Sequence, residues 1–277
     1  MSNLLAEVKD YLNRTGSRPK RSLGQNFLVN SQVVEKILAR ALSLEPRSLV
    51  EIGPGLGALT QPLRARFGGR LVLLELDHHF CEAWRDQGYE VVEGDALKLN
   101  WDHLGLESPS LLLSNLPYQI SSSLVIERSL GPRAIENMVL MFQKEVAQRV
   151  VAGPHTKDYG LLSVMAQTFW RVDFVLEAGP RDFYPAPKVA SRVLAFTRLQ
   201  DPLGMVEVHE KRDFLSFLKK AFAQRRKYLL SNLKMAMPQT PWQDLFHLLH
   251  LDIQARAENL RPEDYVRLFQ HWTGKIK

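Results

Sequence analysis

The sequence predicts an α/β fold: a mostly parallel sheet with helices on both faces and an antiparallel edge, followed by a small all-α C-terminal domain. Three observations carry this. From Arg47 onward, short apolar runs alternate with stretches of helical periodicity, the pattern of repeated βα units. The first run ends in the glycine-rich turn Gly53-Pro-Gly-Leu-Gly57. Past residues 200–206 (QDPLGMV) strand patterns cease and only helical ones remain. The expected division is therefore residues 1–204 and 205–277.

In chain order, residues 4–12 carry apolar side chains at helical spacing. Residues 31–44 read as a helix with Ser31 as its N-cap and Val33, Val34, Ile37, Leu38 and Ala41 on one face. Strands are predicted at 48–52, 70–76, 90–93, 110–113 and 138–142. Helices fall between and after them, at 58–67, 78–87, 121–130 and from 144 to 151. Residues 162–170 and 171–178 form an apolar pair around a turn, and 193–199 is a further strand. Together these supply the antiparallel edge, as in many large mixed sheets. Helices at 211–235, 241–253 and 262–272 complete the chain.

Composition narrows the function classes. The 277 residues, 45% hydrophobic, are enough to bury a large core and a smaller one. Lys and Arg outnumber Asp and Glu by 36 to 30, an excess compatible with a polyanionic partner. A single cysteine, Cys81, excludes an intrachain disulfide and argues against a cysteine-based zinc site; it reads as a small buried apolar residue. The eight histidines show no metal-ligand spacing, so no metal is expected. No apolar run approaches the ~20 residues of a membrane span, and residues 1–27 lack the apolar core of a signal peptide. The expected location is cytoplasmic, without membrane attachment.

The glycine turn sits between a strand and a helix, where the backbone must turn tightly and let a ligand approach. With Ala58 it satisfies the dinucleotide pattern G-x-G-x-x-G/A, and Glu75 follows about 20 residues on, where a ribose-binding acid belongs. An NAD-dependent oxidoreductase fits that pattern. Two features favour a different adenosine-containing ligand. Glu51, just before the turn, suits an ammonium group better than a pyrophosphate. Gly94-Asp95 ends the third strand, where an acid can accept a hydrogen bond from an adenine amino group. S-adenosylmethionine carries both the ammonium and the adenine, and no phosphate.

Asn115-Leu116-Pro117-Tyr118 ends the fourth strand. The exocyclic N6 of adenine is a poor nucleophile because its lone pair is delocalised into the ring. The Asn115 side-chain oxygen and the Leu116 carbonyl can accept its two hydrogens and localise that pair. Pro117 fixes its own φ and restricts Leu116. Tyr118 offers a stacking face worth about 1–3 kcal/mol per base. No strong general base is needed for displacement from a sulfonium held in line, so the rate comes mainly from orientation.

These strings, with Gly24-Gln-Asn-Phe-Leu28, Glu75-Leu-Asp77, Phe142-Gln-Lys-Glu-Val-Ala147, Phe183-Tyr-Pro-Ala-Pro-Lys-Val189, Arg225-Arg-Lys227 and Arg256-Ala-Glu258, resemble the ribosomal RNA adenine dimethyltransferase family over residues 20–270, in family order. Leu116 matches the small-subunit (KsgA-type) branch, which reads NLPY, rather than the antibiotic-resistance (Erm) branch acting on large-subunit rRNA, which reads NIPY. The resemblance implies a Rossmann-like S-adenosylmethionine-dependent methyltransferase sheet. It further implies N6,N6-dimethylation of two adjacent adenosines in the hairpin near the 3′ end of 16S small-subunit rRNA, in a pre-30S or 30S particle, by a monomer with a role in ribosome biogenesis.

Carried over by position, the resemblance places Asn26, Leu28, Gly53, Gly55, Glu75, Asp95 and Asn115 around the cofactor. It makes Asn115, Leu116, Pro117, Tyr118 and Phe183 the catalytic group, with Tyr118 and Phe183 sandwiching a flipped adenine. One departure is visible: the family often has Asp before the Ser that follows the proline-rich segment, and here the pair is Ala190-Ser191.

For RNA, the basic residues of 211–227 are interleaved with Phe214, Phe217, Leu218 and Phe222. On one helix the aromatics would turn inward and the bases outward. Lys219, Lys220, Arg225, Arg226 and Lys227, with Arg18, Lys20 and Arg21 near the N-terminus, are the RNA-contact candidates; phosphate contacts would give affinity and RNA shape selectivity. The readings left open beside this one are an assembly factor that keeps the fold but acts by occupancy, the NAD enzyme, and a DNA adenine methyltransferase.

Overall fold

The computed structural model describes residues 4–15, 25–131, 134–199 and 208–274. Two compact units result: Met1–Ala147 with Val172–Arg198, and Gln148–Arg171 with Leu199–Lys277.

The first unit is built on a seven-stranded sheet. Its parallel strands are β2 (Ser48–Ile52), β3 (Arg70–Glu75), β4 (Glu90–Glu93), β5 (Ser110–Asn115) and β6 (Asn137–Gln143), and β7 (Trp170–Ala178) and β9 (Ser191–Arg198) complete it. The order is β4-β3-β2-β5-β6-β9-β7, with β9 antiparallel to β6. The chain builds outward from β2 to β4, then returns to lay β5 on the other side of β2, with Glu51 opposite both Leu73 and Leu113. The direction of winding thus reverses between β2 and β5, where open α/β sheets bind their ligands.

Every residue of β2 is buried, as are Leu111, Leu112 and Leu113 of β5. Such continuous apolar strands reflect a sheet covered on both faces. One face carries Leu49, Leu111, Val139 and Ala195, packed with Val34, Ile37, Leu38 and Ala41 of α2 (Ser31–Leu42) and Leu63 of α3 (Thr60–Arg64). The alternate residues Val50, Leu112, Leu140 and Phe196 point the other way and are equally buried. Helices α1 (Leu4–Thr15), α4 (His78–Asp86), α5 (Ser121–Leu130) and the start of α6 (Lys144–Val151) complete this unit. Cys81 is buried, and burial pushes its thiol up to about 11.

A second sheet was not legible in the sequence. It pairs β1 (Phe27–Leu28) with β8 (Phe183–Tyr184), antiparallel. Asn30, not Ser31, caps α2: its side-chain oxygen accepts from the Gln32 and Val33 amides, and its Nδ2 donates to Asp182 at 2.6 Å. The Val29 amide donates to the Asp182 carbonyl, so both strands of this small sheet are tied at one corner.

The second unit is helical. Residues 162–170, expected as part of an antiparallel pair, fall instead on α7 (Leu161–Phe169), with Trp170 opening β7. The run is almost wholly apolar, so periodicity did not separate helix from strand. The Ser163 hydroxyl accepts from the Gly160 amide and starts the helix. The expected helix 211–235 is two, α8 (Val208–Ala221) and α9 (Leu229–Ala236), because buried Asn232 donates to the carbonyls of Ala221 and Gln224 and closes the end of α8. α10 (Trp242–Leu248) is shorter than expected, and α11 (Pro262–Trp272) follows. The core is aromatic: Phe217 lies 5.7–6.4 Å, centroid to centroid, from Phe214, Phe269, Trp242 and Trp272. α7 packs against α8 and α11 and so belongs to this unit. No helix is long and apolar enough to cross a membrane among the described residues.

Phe217→Ala removes the centre of that cluster. It should destabilise the protein by about 3–5 kcal/mol, read as a lower denaturant midpoint with little change in slope.

Candidate active site

A cavity of about 750 Å³ opens at the carboxyl ends of the parallel strands, within the size range of small-molecule sites. It is lined by the turn after β2, the ends of β3 and β4, the segment after β5 and residues 25–28, with side chains of α1 and α4.

The glycine turn is held from two sides. Gly53 donates to Leu74 on β3, and the Trp84 indole of α4 donates to the Gly55 carbonyl at 3.2 Å. Gly53 (φ +63°) and Gly57 (φ +85°) occupy the left-handed region, which costs other residues about 1–2 kcal/mol. At Gly57 a Cβ would also stand 2.6 Å from the Trp84 ring, whereas at Gly53 it would meet nothing within 4 Å.

Three carboxylates on or just after β2, β3 and β4 line the cavity, besides Glu7 and Asp10 of α1. Glu51 is 2% exposed, and burial pushes its carboxyl up to about 8, the nearby Thr60 side chain opposing the rise and Glu75 adding to it. Its Oε2 is buried without a hydrogen-bond partner. Buried polar groups are normally satisfied, so this oxygen marks a place for a cationic or donating ligand group. Glu75 Oε1 accepts from the Leu76 and Asp77 amides at 2.8 and 2.9 Å, which fixes the plane of its carboxylate. Burial raises its pKa and those amides oppose the rise. Asp95 accepts from the Leu97 amide and turns the chain back after β4.

At the end of β5, Asn115 Nδ2 donates to the Asn26 carbonyl at 3.0 Å. This bond decides which end of the amide faces which way: the nitrogen is spent on Asn26, leaving Oδ1 as acceptor. Leu116 is buried, and Leu116, Pro117 and Tyr118 all line the cavity. The Tyr118 carbonyl accepts from Ser121 and its hydroxyl lies 3.1 Å from Ser191 Oγ.

The cavity thus brings together Asn26, Leu28, Gly53, Gly55, Glu75, Asp95 and Asn115–Tyr118. Phe183 stands apart. It is 3% exposed, packed in the core with Leu28 and Val33, and is not part of the cavity lining. Contributions from α4 and α1 were missed. Trp84 lay on the apolar face of a predicted helix, where core and site residues look alike. Val8 and Tyr11 of α1 line the cavity, Tyr11 stacking on Phe80 at 6.4 Å, although α1 looked like an ordinary amphipathic helix.

The basic candidates are dispersed. Arg18, Lys20 and Arg21 lie outside the described residues. Lys219 and Lys220 occupy the last turn of α8, and Arg226 and Lys227 are exposed in the turn before α9, not on a continuous helix. Arg225 Nη2 is engaged by Glu258 at 3.0 Å and by the carbonyls of Lys157 and Tyr159. Lys211 does not face outward: it is 4% exposed, over the Phe169 ring. Among the described residues, no group of three or more His, Cys, Asp or Glu gathers as a metal site.

A family model for ribosomal RNA adenine dimethylase matches residues 16–273. The chain belongs to that family. This dimethylase is 47% identical over 262 residues to the ribosomal RNA small subunit methyltransferase A of Bdellovibrio bacteriovorus, covering 93% of each chain. It is 43% identical over 258 residues to the protein of that name from Syntrophotalea carbinolica, covering 91% of this chain and 96% of that one. A dimethyladenosine transferase from Plasmodium falciparum shares the fold, with TM-score 0.74 and 24% identity over 90% of this chain and 98% of that one. The 23S rRNA methyltransferase ErmE does so with TM-score 0.64 and 24% identity over 90% of this chain and all of that one.

The two glycines of the turn should respond unequally to a methyl group. Gly53→Ala should cost only the left-handed backbone penalty of about 1–2 kcal/mol. Gly57→Ala should cost a further 1–3 kcal/mol, roughly, from overpacking against Trp84. Paired denaturation curves check the ranking, and equal losses would remove the Trp84 clash as a cause.

Proposed function

We propose that this dimethylase uses S-adenosylmethionine to convert two adjacent adenosines in the hairpin near the 3′ end of 16S rRNA to N6,N6-dimethyladenosine. It acts as a cytoplasmic monomer on a pre-30S or 30S particle and contributes to small-subunit biogenesis. The observation that carries this reading is the Asn115 amide, whose nitrogen is committed to Asn26 so that its oxygen is presented as an acceptor.

Bound S-adenosylmethionine supplies a methyl group on a sulfonium. The residues of the cavity fit it: the partnerless Glu51 oxygen suits its ammonium, which a pyrophosphate would not satisfy. Glu75, its plane fixed by two amides, is placed for ribose hydroxyls, and Asp95 for the adenine amino group. Asn26, Leu28, Gly53 and Gly55 shape the rest of that cavity.

On the substrate side, Asn115 Oδ1 and the Leu116 carbonyl accept the two N6 hydrogens of the target adenine. Pro117 restricts the backbone that carries the second acceptor. Tyr118 supplies the stacking face for the base once it has left its own stack. Phe183 serves as the opposite wall when its ring is uncovered, and in the closed packing it supports Leu28. Lys219, Lys220, Arg226 and Lys227, with Arg18, Lys20 and Arg21, bind RNA phosphates and make binding salt-dependent. Arg225 contributes through the turn it braces.

The test incubates small subunits from cells lacking this activity with purified protein and S-adenosylmethionine, followed by mass spectrometry of the 3′ rRNA fragment. N6,N6-dimethyladenosine should appear, and Asn115→Ala should reduce its rate by about 100- to 1000-fold, the scale of losing one preorganised polar contact to a transition state. Methylation confined to large-subunit rRNA, or none despite cofactor binding, would overturn the assignment.

Cofactor binding should depend on pH through Glu51. Below about 8 the free protein holds Glu51 protonated, and docking of an ammonium expels that proton, so affinity rises with pH. Above it the ligand's α-amino group, with an ordinary pKa of about 7.7–8.0, loses its own proton and affinity falls. The optimum should lie near pH 8. Glu51→Gln should abolish the rising limb, as measured by calorimetry in buffers of different ionisation enthalpy. The same shift makes the ligand-free protein less stable as pH rises from the ordinary carboxylate range toward 8, because the unfolded chain ionises there first.

A further inference from the structure

We propose that Ser191 is a positioning residue for methyl transfer, holding the Tyr118 ring in the plane on which the target base stacks. The inference rests on the adenine-methylation reading of the same site.

The Tyr118 hydroxyl and Ser191 Oγ are 3.1 Å apart, joining residues 73 apart in sequence. The two ends of this bond differ in character. Ser191 is fully buried at the start of β9, in register with Gln143 of β6, and the preceding Ala190 carbonyl accepts from the Lys144 amide at 2.9 Å. Its hydroxyl is therefore placed by the sheet. Tyr118 instead lies between β5 and α5, in a turn closed by the Ile120 amide on the Pro117 carbonyl and by Ser121 on the Tyr118 carbonyl.

The turn fixes the backbone of Tyr118 but leaves two side-chain torsions to set the ring plane. A bond at the far end of the ring removes that freedom, because backbone and phenol tip are then both anchored. Burial raises the Tyr118 pKa, so the phenol stays neutral and keeps its proton for hydrogen bonding. A stacking platform works by orientation, and a displacement of about 1 Å at a reacting centre costs on the order of a hundredfold in rate. Ala190 contributes only its carbonyl to this arrangement, so the bond does not need an acid at position 190.

The test compares wild type, Ser191→Ala, Tyr118→Phe and the double variant on small-subunit particles. Each single change should lower kcat by about tenfold, short of the full cost of a misplaced centre, while cofactor affinity stays within twofold. The double variant should be no slower than the slower single, because both remove the same bond. Full activity in Ser191→Ala, or multiplicative losses in the double variant, would overturn the proposal. So would a Ser191→Ala loss accompanied by weakened cofactor binding, which would mark a general structural role. A second readout does not use activity: in protein labelled with 3-fluorotyrosine, the ¹⁹F resonance missing from Tyr118→Phe should shift in Ser191→Ala. An unmoved resonance refutes the tether. A resonance that shifts in Ser191→Ala, with the wild type methylating no adenine, would instead overturn the functional reading and leave the tether standing.

Discussion

The pairing of β2 with β3 on one side and β5 on the other is the constraint on which the site depends. Connections leaving β2 and β5 at the same sheet edge run in opposite directions, so a crevice opens between them. Parallel register then sets what meets there. Glu51 lies beside Leu113, two residues before Asn115, so the glycine turn and the Asn115–Tyr118 segment face one cavity without any contact between them in sequence. The buried strands supply the rigidity, and the polar residues begin where the apolar runs end.

The two-stranded sheet of β1 and β8 performs a second task. Taken alone, four residues of strand contribute little. Asn30 and Asp182 lock its corner, and Phe183 and Leu28 anchor it in the core. The Asn26 carbonyl is thereby held where the Asn115 amide needs it. An amide without that partner could turn either end to a substrate, and only the oxygen end accepts hydrogens from an amino group. The orientation of the Asn115 amide is thus set by a backbone carbonyl 89 residues away in sequence.

Glu51 shows the opposite economy. A buried carboxyl oxygen without a partner lowers the stability of the ligand-free protein, and every residue of its strand, β2, is buried. Binding of the ammonium proposed above would recover that loss and so link stability to affinity through one atom. Arg225 is a contrasting case: a basic residue that looked available for RNA spends one guanidinium nitrogen on two carbonyls and Glu258, bracing the turn that presents Arg226 and Lys227.

The sequence by itself determined the strands β2 to β6, the glycine turn, the acids at the strand ends and the Asn-Leu-Pro-Tyr segment. Each of these is a local signal: apolar runs, backbone permissiveness or short motifs read in order. Helix α7 escaped because a uniformly apolar run has no period to read, and the break between α8 and α9 escaped because Asn232 makes it through carbonyls 8 and 11 residues away. Tertiary structure alone decided which end of Asn115 faces the cavity, that Glu51 lacks a partner, that Phe183 is covered, and that Ser191 meets Tyr118. These depend on hydrogen bonds and pairings between residues 73 to 155 positions apart or on the packing of whole layers, and no local pattern encodes a partner at that distance.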